Sequence, residues 1–225
     1  MLDKAVLILR QAAISPVTLG DLVSEAQLPK ATAHRIAVAL ETHGLLRRNK
    51  AGAWSPGPLL LELTNGGAGR LASRAGPILD QLCGDTGESA QLFQREADVR
   101  VCIASVERSS GLRDTVPLGA RLPMTAGSAA HVLLAWSGTD SQAGAAILES
   151  ASFTARTLSE VRRRGYAHSS AEREAGVGSI SAPVRDADGA VIAAVSVSGP
   201  LERLGRRPRA PLVTAVIEAA KSLTF

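Results

Sequence analysis

The sequence predicts an α+β chain in two parts, and three observations carry that prediction. Before residue 44, apolar side chains recur with helical spacing in three separate stretches. The run Thr64-Asn65-Gly66-Gly67-Ala68-Gly69 then breaks the pattern with three glycines in six residues. From Gly87 onward, extended segments come in pairs joined by short polar turns, with helices between the pairs and no strand-helix-strand rhythm. That order belongs to an antiparallel sheet with helices rather than to a doubly wound parallel sheet.

Composition bounds the partners. At 225 residues the chain can hold two modest cores, and with 3% aromatics those cores must be built from Ala, Val, Leu and Ile. A net charge of +4 and a pI near 9.6 suit a polyanionic partner, yet are too mild for a protein that coats RNA through charge alone. Cys83 and Cys102 lack C-x-x-C spacing and are too few for a disulfide framework, so a reducing cytoplasm is the expected compartment. No apolar run approaches the length of a membrane span, and the N-terminus lacks a signal-peptide pattern, so no membrane partner is expected.

In the N-terminal part, Leu2, Ala5, Val6, Leu9 and Ala13 mark a first helix, with Leu7 and Ile8 as a second apolar edge. Such a helix either has two partners, which favours self-association, or is sunk in one core. Ser15-Pro16-Val17-Thr18 ends it, and Thr18 can cap a second helix over residues 19–26. Gln27-Leu28-Pro29 turns into a third helix, where Ala33, Ile36, Ala37 and Leu40 form one apolar stripe and Pro29 presets the helical start. Lys30, Thr32, His34 and Arg35 fall off that stripe and crowd the first two turns with donors. His43-Gly44 closes the helix. Leu45-Leu46 and Ala53-Trp54 then flank a tip carrying Arg47, Arg48 and Lys50, as in a hairpin. Two short helices, a basic-tipped helix and a basic hairpin make a winged helix-turn-helix. The helix suits the major groove of duplex DNA, and the hairpin suits phosphates.

The second part reads as a helix over residues 77–83 ending at Gly84, then paired strands at 87–93 and 99–106 turning at Glu96-Ala97-Asp98. Helices follow at 127–136, 143–148 and 158–164, the last closed by Gly165. A second strand pair covers 179–185 and 190–198, before a final helix at 212–223. The helix start at Gly127 offers backbone N–H groups to a carboxylate. Ser196 and Ser198 share one strand face by the two-residue period, and with Ser179 they can line a pocket for a small acid. The same short hydroxyls also suit the filling of an Ala-rich core, and the residues alone leave both open. The arginines at 162–164 and at 203, 206, 207 and 209 read as solvated surface.

Catalysis has little support. No G-x-S-x-G elbow presents a serine, and Ser128 and His131 stand three apart on one helix with no acid placed to orient the imidazole. The glycine run fits no phosphate-loop pattern. Cys83, Cys102, His131 and His168 have no metal-ligand spacing. The expectation is therefore no catalytic residues, no metal and no cofactor.

Leu28-Pro29-Lys30-Ala31-Thr32-Ala33-His34-Arg35, Gly44-Leu45-Leu46 and the hairpin to Gly57-Pro58 resemble the DNA-binding half of the IclR family, apart from Ala31 where the family often has Ser. Leu122-Pro123-Met124-Thr125-Ala126, Glu172 with Gly176-Val177, Ala182-Pro183-Val184-Arg185-Asp186 and Ser196-Val197-Ser198-Gly199-Pro200 resemble its effector-binding domain, which implies a GAF-like α/β fold. The resemblance puts effector contacts at Ser128, Ala129, Val177, Ser179, Ser196 and Ser198. Ser179 replaces a frequent Cys, Ser169 stands where some members have an acid, and Ala130-His131 replaces Gly-Lys. The segments Gly87-Glu88-Ser89-Ala90-Gln91-Leu92, Gly111-Leu112-Arg113-Asp114-Thr115-Val116-Pro117 and Val161-Arg162-Arg163-Arg164-Gly165 resemble a narrower group, the actinobacterial regulators of amino-acid metabolism and leucine biosynthesis of the NdgR/LtbR type.

The expected organisation is a winged helix-turn-helix domain at 1–58, a linker at 59–70 and an effector domain at 71–225. The expected protein is a homodimeric or dimer-of-dimers transcription regulator. Lys30, Thr32, His34, Arg35, Arg47, Arg48 and Lys50 meet an operator, and an amino acid or small organic acid tunes the affinity. The competing class is a metabolite-binding or enzymatic domain whose helix-turn-helix serves protein contacts.

Overall fold

The computed structural model describes residues 1–24, 28–64, 67–137 and 142–224. They fall into two compact units, Met1–Arg70 and Leu71–Phe225.

The first unit holds α1 (Leu2–Ile14), α2 (Leu19–Ser24), α3 (Lys30–Thr42), the antiparallel hairpin of β1 (Leu46–Arg48) and β2 (Trp54–Pro56), and α4 (Pro58–Thr64). Thr18 caps α2 reciprocally with Asp21. The Asp21 N–H donates to the Thr18 hydroxyl at 3.3 Å, and the Asp21 carboxylate accepts the Thr18 N–H at 2.7 Å. Ala26 and Gln27, assigned from sequence to the end of α2 and the turn after it, lie outside the described residues. Pro29 is the residue just before the helix rather than its first turn: its ψ of 134° is extended, and its carbonyl accepts the N–H of Thr32 and of Ala33. The core joins Ile8 and Ala12 of α1, Leu22 of α2 and the Ala33, Ile36, Ala37, Leu40 stripe of α3 to Leu46 and Trp54 of the hairpin. Val17 pairs with Trp54 through two backbone hydrogen bonds of 2.9 and 2.8 Å, adding a third extended segment to the hairpin.

Helix α5 (Gly67–Thr86), which lies in the second unit from Leu71 onward, corrects two sequence expectations. The sequence places Gly67 and Gly69 in the linker and predicts a helix only over 77–83. The structure runs one helix from Gly67 through Pro77 to Thr86. The reason is burial: Leu71, Ala75, Leu79 and Leu82 form one stripe that is almost wholly buried. Three buried leucines contribute about 1.5–3 kcal/mol each, enough to offset about 1 kcal/mol for each of the four helical glycines, Gly67, Gly69, Gly76 and Gly84, and about 3 kcal/mol for the internal Pro77. Asn65 and Gly66 lie outside the described residues.

The sheet has six antiparallel strands in the order β5-β4-β3-β8-β7-β6. They are β3 (Ser89–Glu96), β4 (Val99–Val106), β5 (Arg121–Pro123), β6 (Ala167–Ser170), β7 (Val177–Arg185) and β8 (Val191–Pro200). The edge strands β5 and β6 have three and four residues, too short to show a two-residue period in sequence. The helices are α6 (Ser128–Trp136), α7 (Gln142–Glu149), α8 (Ala155–Arg164), α9 (Leu201–Leu204) and α10 (Ala210–Ser222). Strand parity sorts the side chains. Ala90, Leu92, Ile180, Ala182, Val195 and Val197 face a core with α5 and α10. Phe93, Cys102 and Ala194 face a second core with α6 and α8. On that second face the register aligns Ser169, Ser179 and Ser198 across three strands, and beside them Ser181, Ser196 and Gln91.

Two arginines expected at the surface have specific partners. Arg162 donates to the carbonyl of Ala135 at the end of α6, at 2.7 Å. Arg203 grips the buried Glu88 carboxylate through Nε at 2.5 Å and Nη2 at 2.8 Å.

Candidate functional site

In the first unit, burying the α3 stripe leaves Lys30, His34 and Arg35 exposed and Thr32 half-buried over the first two turns. Polar groups are thus presented outward from a helix anchored along its other side. On the hairpin, alternation separates the two arginines. Arg47 pairs in register with Ser55, whereas Arg48 pairs with Trp54. Arg48 turns back onto the hairpin's own partners: its guanidinium lies 4.4 Å from the centre of the Trp54 ring and 3.2 Å from Glu41 Oε2. The Trp54 indole N–H donates to the same Glu41 oxygen at 2.9 Å. Arg48 therefore braces the hairpin against α3 while its side chain stays exposed. Arg47 and Lys50 are exposed.

In the second unit, the six positions assigned to the effector line a single cavity. Ser128, Ala129, Val177, Ser179, Ser196 and Ser198 come together with Gln91, Phe93, Arg100, Asp114, Val116, Leu122, Gly127, Ser169 and Arg173 around about 390 Å³ of space, the open mouth included. Its floor is a chain of hydroxyls. Ser128 Oγ lies 2.7 Å from both Ser179 Oγ and Ser181 Oγ. Ser181 donates to Ser196 at 2.8 Å, and Ser198 donates to Gln91 Oε1 at 3.0 Å. The Gln91 amide nitrogen is buried without a partner.

At the start of α6 the N–H groups of Gly127 and Ser128 are already engaged by side chains, and Ala129, the next residue, lines the cavity. The Ser128 N–H faces the hydroxyls of Ser169 and Ser179, and the Gly127 N–H is held by the Glu172 carboxylate at 2.9 Å. Glu172 also meets His131 Nε2 at 2.9 Å and accepts from Ser152 Oγ at 3.2 Å. Burial alone would raise its pKa. The hydrogen bond and charge of His131, with the donors on Gly127 and Ser152, outweigh that and hold the carboxyl below its ordinary 4.5. An acid therefore does orient His131, across 41 residues of sequence that hid it. No catalytic pair results, because Ser128 Oγ is bonded to Ser179 and Ser181 and His131 Nδ1 has no hydrogen-bond partner. Instead His131 packs edge-on to Phe153. Among the described residues no three His, Cys, Asp or Glu side chains converge as a metal site, and no helix is long and apolar enough to cross a membrane.

The sequence reading missed four charged or polar cavity residues. Arg100 is 3% exposed on β4, and its guanidinium donates to the Pro123 carbonyl while its Nε has no partner. Burial, then repulsion from Arg173, push its pKa down to about 10, with Glu172 opposing. Its only sequence signal is a charge on an inward-facing strand position, visible once the parity of β4 is known. Asp114 and Arg173 lie on loops 59 residues apart. Gln91 stands beside Ser196 only through the β3–β8 register.

A winged helix-turn-helix unit with a second unit built around a polar cavity defines a DNA-binding transcription regulator of two domains. The model of the IclR helix-turn-helix domain matches residues 2–50, and that of the bacterial transcriptional regulator IclR C-terminal domain matches residues 68–225. The chain belongs to the IclR family of bacterial transcription regulators. It is 31% identical over 239 residues to the HTH-type transcriptional regulator BhcR of Paracoccus denitrificans, covering 100% of this chain and 86% of that protein. It is 32% identical over 242 residues to the glycerol operon regulatory protein of Streptomyces griseus, covering 99% and 94%. Among solved structures, an IclR homologue from Microbacterium hydrocarbonoxydans, complexed with 4-hydroxybenzoate, superposes with a TM-score of 0.69 at 26% identity, over 99% of this chain and 97% of that one.

Proposed function

We propose that this regulator binds an operator through α3 and its hairpin, and that a small acid in the cavity of the second domain tunes that binding. The single observation that carries the reading is that six positions drawn from three separate segments line one polar cavity. The bound 4-hydroxybenzoate of the Microbacterium homologue supports an acid as the ligand and provides the first probe. An amino acid or another organic acid fits the same hydroxyl floor, and control of amino-acid genes, leucine biosynthesis among them, rests on the three segments quoted above. In this reading 1–58 is the DNA-binding domain, 59–70 the linker and 71–225 the effector domain, acting in the cytoplasm as a homodimer or dimer of dimers. Linkage then requires that ligand and operator affinities change by the same factor.

Lys30, Thr32, His34 and Arg35 address the groove, while Arg47, Arg48 and Lys50 address phosphates. Arg35→Ala is expected to weaken binding to an operator selected from a random duplex pool by about 5- to 150-fold, the effect of about 1–3 kcal/mol of lost contact. Fluorescence anisotropy at fixed salt reads it, and unchanged affinity removes Arg35 from the interface. Wild-type affinity should also fall steeply with added salt. Salt-insensitive binding would favour a helix-turn-helix used for protein contacts.

The double variant Ser196→Val/Ser198→Val is expected to abolish the ligand's effect on operator affinity while leaving ligand-free affinity intact. Ser181 loses its acceptor and Gln91 its donor, so the effector domain should also lose about 1–3 kcal/mol of stability at each site. A surviving ligand response would put the effector elsewhere.

A further inference from the structure

We propose that Asp114 is a built-in competitor for the cavity's acid site: an entering carboxylate takes Arg173 from Asp114 and releases the short loop segment that carries Asp114. The proposal rests on the cavity being the ligand site, as argued above, and specifies how a ligand gains entry to it.

The pair stands where exchange would happen. Arg173 Nη2 lies 2.6 Å from both carboxylate oxygens of Asp114, and Asp114 is 7% exposed. Asp114 comes from the loop between β4 and β5, and Arg173 from the loop between β6 and β7. Both line the cavity. Asp114 and Val177 also line a neighbouring cleft with Leu112, Gly176 and Leu201, of about 790 Å³ with its open solvent face. The ion pair thus sits in the partition between an outer cleft and the inner cavity.

Charge decides which ligand can make the exchange. The cavity lining carries two arginines, Arg100 and Arg173, against the single carboxylate of Asp114. Arg100 is buried with an unpartnered Nε, so inside the cavity an anion meets attraction and a cation repulsion, whereas the outer cleft carries Glu174 and Glu202 against Arg113. If a ligand carboxylate replaces Asp114 on Arg173, the half-buried cation, whose Nη1 also lies 3.9 Å from Glu174 Oε2, keeps its close carboxylate partner throughout, and the displaced Asp114 can turn to the open cleft. Taking Arg173 without a replacement anion would strand a half-buried charge.

The loop around Asp114 can give way locally. Upstream, the Leu112 carbonyl is held by Arg203 Nη2 at 2.7 Å, next to Gly111 with its φ of 78°. Downstream, Val116 is 3% exposed in the apolar core. Residues 113–115 run between these fixed points, and Asp114 supplies their side-chain tie to the cavity wall. Arg113 pairs instead with Glu107 of the same loop, at 2.9 Å.

The test uses the full-length protein, calorimetry and amide hydrogen exchange. 4-Hydroxybenzoate, leucine and pyruvate serve as acid probes, and 4-hydroxybenzamide as the uncharged control. An Arg173 free of Asp114 only about a tenth of the time binds a carboxylate about tenfold more weakly than a free one, and an uncharged ligand that does not need Arg173 is unaffected. Asp114→Asn should therefore bind the acid probe about tenfold tighter than the wild type and leave the amide unchanged. Saturating acid should speed exchange of amides 113–115 in the wild type, to the rate that ligand-free Asp114→Asn shows. Arg173→Gln should reduce acid affinity to that of the amide. Equal or weaker acid binding by Asp114→Asn, full acid affinity in Arg173→Gln, or unchanged exchange at 113–115 in the acid-bound wild type each overturns the proposal. An acid that binds Ser196→Val/Ser198→Val as tightly as the wild type overturns the cavity reading itself, as does an absence of binding by all three acids.

Discussion

Gly57→Ala is expected to unfold the DNA-binding unit at ordinary temperature while the second unit stays folded. A Cβ at residue 57 would lie 2.2 Å from the Gly44 carbonyl oxygen and 2.8 Å from the backbone carbons of Gly44 and Leu46. These neighbours are main chain, and two hydrogen bonds hold them there: Gly57 N–H to Leu45 O at 2.9 Å and Leu59 N–H to Gly44 O at 3.0 Å. Relief therefore means separating the end of α3 from the strand that leaves the hairpin. The cost should be about 3 kcal/mol or more, at the upper end for overpacking. For a unit near 70 residues that approaches its whole stability. Loss of operator binding, with ligand binding retained in calorimetry, is the expected signature. Wild-type operator affinity in Gly57→Ala would show that the junction opens at little cost.

Gly199→Ala is the corresponding prediction for the effector domain. There a Cβ would meet Glu88 Oε2 at 2.2 Å and its carboxyl carbon at 2.8 Å. Glu88 is 3% exposed and cannot swing aside without leaving Arg203. Breaking a buried pair on one side costs about 3–5 kcal/mol. Arg203 is partly exposed, so the loss should fall near the lower figure. Chemical denaturation reads it, and the double variant Glu88→Ala/Gly199→Ala supplies the control. With the carboxylate gone, the second substitution should add almost nothing, giving strong non-additivity. Additive losses would mean that the glycine matters for some reason other than Glu88.

These two glycines show where sequence reading stops. Gly57 and Gly199 sit in segments that resemble the family, yet nothing local marks either as irreplaceable. Neither has a left-handed φ, and each is required because a distant main chain or carboxylate passes close by. The same distance hid Arg100, Asp114 and Arg173. A charge on a strand or loop reads as solvated until the fold shows it facing inward. His131 and Glu172 are a further case, separated by 41 residues and joined by one hydrogen bond.

By itself the sequence determined what depends on near neighbours. The helix order, the apolar stripe of α3, the Thr18 cap, the hairpin with its basic tip and the α+β class all follow from spacing within about twenty residues. The serine positions of the cavity were legible too, through their resemblance to the family. Tertiary structure alone decided the length of α5, where burial of Leu71, Leu79 and Leu82 held together a helix with four glycines and a proline. It also decided that Arg48 stacks on Trp54 and pairs with Glu41, and that the Gly127 N–H at the start of α6 is held by Glu172. The physical reason is common to all three: local propensities are worth about 1 kcal/mol per residue, whereas a buried side chain or charge is placed by groups that the chain brings in from far away.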